Sequence, residues 1–89
     1  MSNVWGLDVE GVRTLGRTLD TEAEAIETTI TRLTTALSNT QWSGPDATAF
    51  RSEWESTHVR SLRNASQALR TTAQAARTNA QAQESTSQN

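Results

Sequence analysis

The chain has 89 residues, 34% of them apolar, with a net charge of -2 and a mean hydropathy of -0.65. That makes one small domain at most, with little area to bury and no cysteine for a disulfide or a thiolate metal site. A pI near 5.2 without a dominant basic stripe argues against nucleic acid as main partner, and no apolar run approaches the roughly 20 residues that span a bilayer.

Residues 1–7 read as a short N-terminal arm, whose Trp5 either tucks against the end of a bundle or lies exposed. Met1-Ser2-Asn3-Val4-Trp5 lacks the basic start and apolar run of a signal peptide, so any export is expected to bypass the general secretory signal. Asp8 has the character of an N-cap, with Leu7 and Val12 placed to form a hydrophobic staple across it. Apolar or small residues then recur at Val12, Leu15, Leu19, Ala23, Ile26, Ile30, Leu33 and Leu37. Their spacing of 3 and 4 predicts an amphipathic helix over about 8–41. Gly11 and Gly16 each lower its propensity by up to ~1 kcal/mol relative to Ala, so it depends on packing.

The one strong break is Gln41-Trp42-Ser43-Gly44-Pro45-Asp46. Gly44 can end a helix in the left-handed region, and Pro45 suits a first helical turn. Ser43 and Asp46, three apart, read as a capping box. A turn over 42–45 thus joins helix one to a second helix over about 46–80, carrying Ala47, Phe50, Trp54, His58, Leu62, Ala65, Leu69, Thr72 and Ala76 at the same spacing. The fold class expected is all-α: an antiparallel two-helix hairpin, too thin to bury both stripes alone, so its missing stability is expected to come from another chain. Residues 81–89 are polar, without apolar periodicity, and are expected to be a disordered tail. Folding back about Ser43 brings residue 22 near 64 and 27 near 59. The acidic block Asp20, Glu22, Glu24, Glu27 then lies beside Arg60 and Arg63, in pairs of ~0.2–1 kcal/mol each that steer register more than they stabilise.

The dimer or core seam on this reading is Leu15, Leu19, Ile26, Ile30, Leu33, Leu37, Phe50, Trp54, Leu62 and Leu69. An aspartate at Leu33 or Leu62 is expected to bury a charge there and unfold the hairpin. No catalytic, cofactor or metal residues emerge. His58 has no cysteine or second histidine to share a metal and reads as a packed or rim residue. Glu53 and Glu55, two apart, point to different sides of a helix. No G-x-S-x-G elbow or phosphate-cradling loop occurs, so an enzyme is not expected.

Trp42-Ser43-Gly44, followed by Asp46-Ala47, Phe50 and Trp54, resembles the Trp-x-Gly family of roughly hundred-residue proteins secreted by type VII (ESX) systems. A bare W-x-G is a weak signal; followed by D-A-x-x-F-x-x-x-W within a hairpin of this length, it is far more specific. The resemblance covers nearly the whole chain. It implies a non-enzymatic, virulence-associated protein that folds in the cytoplasm and whose hairpin pairs, as a homodimer or with a sister protein, by dimerising into a four-helix bundle. It also implies recognition by the secretion ATPase and export to the extracellular space. Trp42 and Gly44 are the positions that match the motif, Trp42 packing at the bundle end. One departure matters. The family's export signal, a tyrosine followed four residues later by Asp or Glu beyond helix two, is absent, because the chain has no tyrosine. A heterodimer whose sister chain carries the signal is therefore favoured over a homodimer. A membrane-active helix pair and an intracellular helical adaptor are the alternatives; the first is disfavoured by the absence of lysine and the acidic character of helix one.

Overall fold

The computed structural model describes residues 8–88, and the arm at 1–7, with Trp5 and the Leu7 half of the staple, lies outside them. Helix α1 spans Val9–Asn39. Helix α2 spans Pro45–Glu53 and runs through a π-helical turn, Trp54–His58, into α3, Val59–Gln88. There is no strand among the described residues. The second rod folds back along α1 as a hairpin of 66 × 17 × 15 Å. Its radius of gyration is 19.7 Å, where a compact chain of this length would be near ~12 Å. Such a shape leaves most of its surface in water.

The seam divides into two halves. Near the turn, Ile30, Trp54 and Val59 form a buried cluster flanked by Ile26, Leu37 and Leu62. Trp54 Nε1 also donates to Thr34 Oγ1 at 2.9 Å. Toward the open end the buried residues are small: Gly16 and Ala23 on α1, and Ser66, Ala73, Ala76 and Ala80 on α3. Small residues let the backbones approach closely. Ser66 Oγ donates to the Ala23 carbonyl at 3.2 Å, a buried cross-link between the rods.

Gly16 lies at the same close approach. A methyl group placed there would meet the Ala73 carbonyl at 3.4 Å and Arg77 Cγ at 3.5 Å. Those are tight but ordinary contacts, so Gly16→Ala should fit and raise stability by up to ~1 kcal/mol through helix propensity. A thermal melt followed by circular dichroism should rise by a few degrees. A clear fall would mean that this approach tolerates no Cβ.

The π turn sets the register of everything after it. One row of buried positions on the second rod runs through Ala47 and Trp54, seven apart, and then Val59, Ser66, Ala73 and Ala80, each seven apart, with Ala76 buried beside it. The step from Trp54 to Val59 is five. A continuous α-helix would have carried His58 or Ser61 to the seam. Instead the Val59 N–H bonds to the Trp54 carbonyl, the i→i+5 pattern of a π turn, which slips one residue into the helix and brings Val59 inward. The seam expected at His58, Ala65 and Thr72 is thereby displaced by one residue, and all three are exposed.

The turn also differs in its chemistry. Helix α1 stops at Asn39, two residues short of the expected end, with Thr40 extended at φ -84° and ψ 128°. Gly44, at φ 111°, does not end α1; it is the N-cap of α2, with Pro45 behind it in the first turn. The expected capping box does not form, since no side chain caps that terminus. Asp8 does occupy the N-cap of α1, its carbonyl accepting from Val12 N–H at 2.8 Å, though its side chain makes no cap bond.

The segment expected to be a disordered tail is helical through Gln88. Ala80 is buried, and Glu84 accepts from Arg13 at 2.6 Å, tying α3's last turns to α1's first. Alanine, glutamine and glutamate are good helix formers, and those two contacts extend the pattern past residue 80. The other inter-helix ion pairs are Asp20–Arg77 at 2.6 Å and Glu24–Arg70 at 3.3 Å. Arg60 and Arg63 take no part in the ion pairs among the described residues, because the extra π residue and the later turn centre slide the rods so that Ala23 faces Ser66.

The Arg13 contact makes the open end responsive to acid. Its hydrogen bond, then its charge, holds the Glu84 carboxyl below the ordinary value. A carboxylate depressed in the folded state contributes stability above its unfolded pKa and loses it as pH falls through the folded one. Both side chains stay partly in water, at 26% and 41% exposure, so the effect is small and local. Acidification below the carboxylate range, or Glu84→Gln at neutral pH, should reduce the helical 13Cα shifts of residues 80–86. Unchanged shifts in both would mean that the contact does not order this end.

Candidate functional site

The seam residues fall into three groups. Ile30 and Trp54 are buried within the hairpin, and Leu19, Ile26, Leu37, Leu62 and Leu69 are half-buried. Leu15, Leu33 and Phe50 face solvent, at 51%, 48% and 44% exposure. The sequence stripe thus contains both the face that the hairpin closes on itself and a flank that it leaves open. Helical periodicity cannot separate the two, since both are apolar and adjacent on one cylinder.

The two sides of the rod differ in charge. A groove of about 640 Å³ is lined by Asp20, Thr21, Glu24, Arg70, Gln74 and Arg77, the side on which two of the inter-helix ion pairs stand. A second groove of about 510 Å³ runs between Val12 and Leu15 of α1 and Thr72, Ala75, Ala76 and Asn79 of α3, continuing to Ala82, Gln83 and Thr86. None of its lining residues is charged. A groove with the exposed Leu15 and no charge can approach another apolar surface without burying an unpaired ion.

At the turn, Trp42 is 40% exposed, its ring 5.6 Å from that of Phe50 and tilted by 54°. The Arg51 guanidinium carbon lies 5.9 Å from the centre of the Trp42 ring. Arg51 also reaches the end of α1: Nη1 donates to the Trp42 carbonyl at 2.7 Å, and Nη2 to those of Thr40 at 3.2 Å and Leu37 at 3.3 Å. Sequence reasoning assigned Arg51 no role. A lone Arg nine positions past a turn Trp carries no local signal of this kind. His58 is exposed, its ring 6.2 Å from that of Trp54.

Among the described residues, no group of three or more His, Cys, Asp or Glu side chains is placed to hold a metal ion. No described helix is long and apolar enough to cross a membrane. What the arrangement offers chemically is surface: an uncharged groove at the open end and an aromatic pair at the turn. Comparison of the chain with protein-family models, with curated proteins and with solved structures returns no significant match.

Proposed function

We propose that the chain is a non-enzymatic pairing protein, a Trp-x-Gly-type substrate or partner of a type VII secretion system. It folds in the cytoplasm and is exported together with a second hairpin. The observation that carries the pairing is the apolar surface left open: Leu15 and Leu33 are about half exposed, and the groove that Leu15 lines holds no charge. Small residues close the open half beside Leu15, and Ile30, Trp54 and Val59 fill the turn half beside Leu33, so both leucines stay about half in water. Laid against a similar rod, the 66 Å side is long enough to cover on the order of the ~800 Å² per partner of a standard interface. The product is a four-helix bundle.

The secretory half of the reading rests on the Trp42-Ser43-Gly44 turn with Phe50 and Trp54 behind it. A tyrosine-free chain favours a sister protein that supplies the tail signal, so the partner is another hairpin rather than a second copy. The secretion ATPase is then the second partner. Two experiments test this. Sedimentation of the purified chain alone and mixed with a neighbouring-gene hairpin should give a mixed species of two chains. Immunoblotting of culture supernatant, in a host with and without the secretion ATPase, should detect the chain only with it. A stable single-chain species under all conditions would remove the pairing, and ATPase-independent release would remove the export route.

A further inference from the structure

We propose that Arg51 is a positioning residue: it clasps the end of α1 so that the Trp42 indole is held, half exposed, as a preformed contact for a partner. Helix α1 ends without a left-handed residue and without a basic side chain in its last turn. Its last carbonyls would ordinarily need such partners. Thr40 supplies two, its N–H to the Leu37 carbonyl at 3.3 Å and its hydroxyl to that of Ala36 at 2.7 Å. The remainder of the work falls to one guanidinium arriving from α2. It spans the carbonyls of Leu37, Thr40 and Trp42, and its positive charge sits where the helix dipole favours it.

The geometry needs arginine. Three carbonyls over six residues are met by a planar fork with five N–H donors, whereas lysine offers one compact ammonium. The same side chain reaches both parts of Trp42, its carbonyl and its ring, while the Phe50 ring, one residue earlier, lies 5.6 Å from the indole. A large aromatic left 40% exposed would otherwise sample several rotamers and lose that freedom on binding. Holding it beforehand removes part of the ordering cost of recognition. The step from a held indole to recognition rests on the pairing and export reading above; the clasp itself does not.

The test uses the full chain labelled with 5-fluorotryptophan, with the Trp42 fluorine resonance assigned through Trp42→Phe. Arg51→Gln removes the charge, and Arg51→Lys keeps it while losing the fork. Both should keep the wild-type helicity and melt only a few degrees lower. In both, the Trp42 resonance should narrow and shift toward that of free indole, with Trp54 unmoved. If Arg51→Gln fails to fold, Arg51→Lys alone decides. An unmoved Trp42 resonance in a folded variant overturns the clasp.

Export of unlabelled Arg51→Lys should then fall about tenfold, as an added ordering cost of a side chain and its loop implies. It should match Trp42→Ala, and the double variant should fall no further, because the two residues act as one unit. Full export with a freed indole would overturn the recognition half. If the wild-type chain is not exported at all, the secretory reading fails by itself, and the fluorine resonance still decides what Arg51 does.

Discussion

Replacing Trp54 with alanine is expected to unfold the hairpin or bring it close to unfolding, whereas the same change at Trp42 leaves it standing. Trp54 is buried between Ile30 and Val59, and its indole N–H is satisfied by Thr34. Truncating a buried Trp to Ala costs ~3–5 kcal/mol through lost transfer energy and the cavity left behind. A domain of this size holds a total stability of only ~4–13 kcal/mol, and among the described residues its core has one cluster of large side chains. At about 4–8 °C per kcal/mol, the melting temperature should drop by tens of degrees. Trp54→Phe keeps the ring and loses the hydrogen bond, so it should fall between. Trp42 leaves 40% of its surface in water, beside Phe50 and Arg51 and outside the Ile30–Val59 cluster, so Trp42→Ala should move the melt by a few degrees. Urea titration of the three variants checks the order. A Trp54→Ala chain melting within a few degrees of wild type would mean that the Ile30–Val59 cluster does not hold the rods together.

The same cluster explains how far the sequence could be read. Two rods and a corner at Trp42-Gly44-Pro45 were legible because spacing of 3 and 4 and a Gly-Pro pair are local signals. The large seam residues Ile30 and Trp54 were legible for the same reason. The small ones were not: Gly16, Ser66 and Ala73 contribute little to any hydrophobic stripe, and their importance lies in how closely they let backbones approach. Their seven-residue spacing, 16 to 23 on one rod and 59 to 66 to 73 to 80 on the other, was the available signal. A single reading frame carried past Trp54 could not reveal the π turn. It shows only as a five-residue step between two heptad frames, and that step exists because Val59 is a better seam residue than His58.

The ends were misread for physical reasons too. Composition alone made 81–89 look unstructured, yet Arg13, 71 positions away, extends the helix by reaching Glu84. Such a contact depends on the register of the whole hairpin and cannot be read locally. At the turn, a capping box at Ser43 was plausible from spacing, but Gly44 takes the cap and a distant guanidinium takes the carbonyls of α1. Long-range side chains replaced the local ones that propensity rules anticipate.

The open flank gives the second large effect, and it separates pairing from folding. Leu33→Asp would unfold the hairpin if Leu33 lay inside it, but Leu33 and Leu15 are each about half exposed. In a lone hairpin an aspartate at either place is a surface change, within about ±0.5 kcal/mol. In a pair it removes a buried leucine worth ~1.5–3 kcal/mol and leaves a carboxylate facing an apolar partner. The double variant Leu15→Asp/Leu33→Asp should therefore keep its helicity and melt as a folded single chain, while its affinity for a second hairpin falls by at least two orders of magnitude. Gln74→Glu, on the charged side of the rod, is the matched control and should leave the pair intact. Sedimentation at micromolar concentration reads the mass, and circular dichroism reads the fold. An undiminished pair in the double variant would place the interface elsewhere. Collapse of the helices would mean that these leucines serve the hairpin itself, and the case for a partner on that side would go with it.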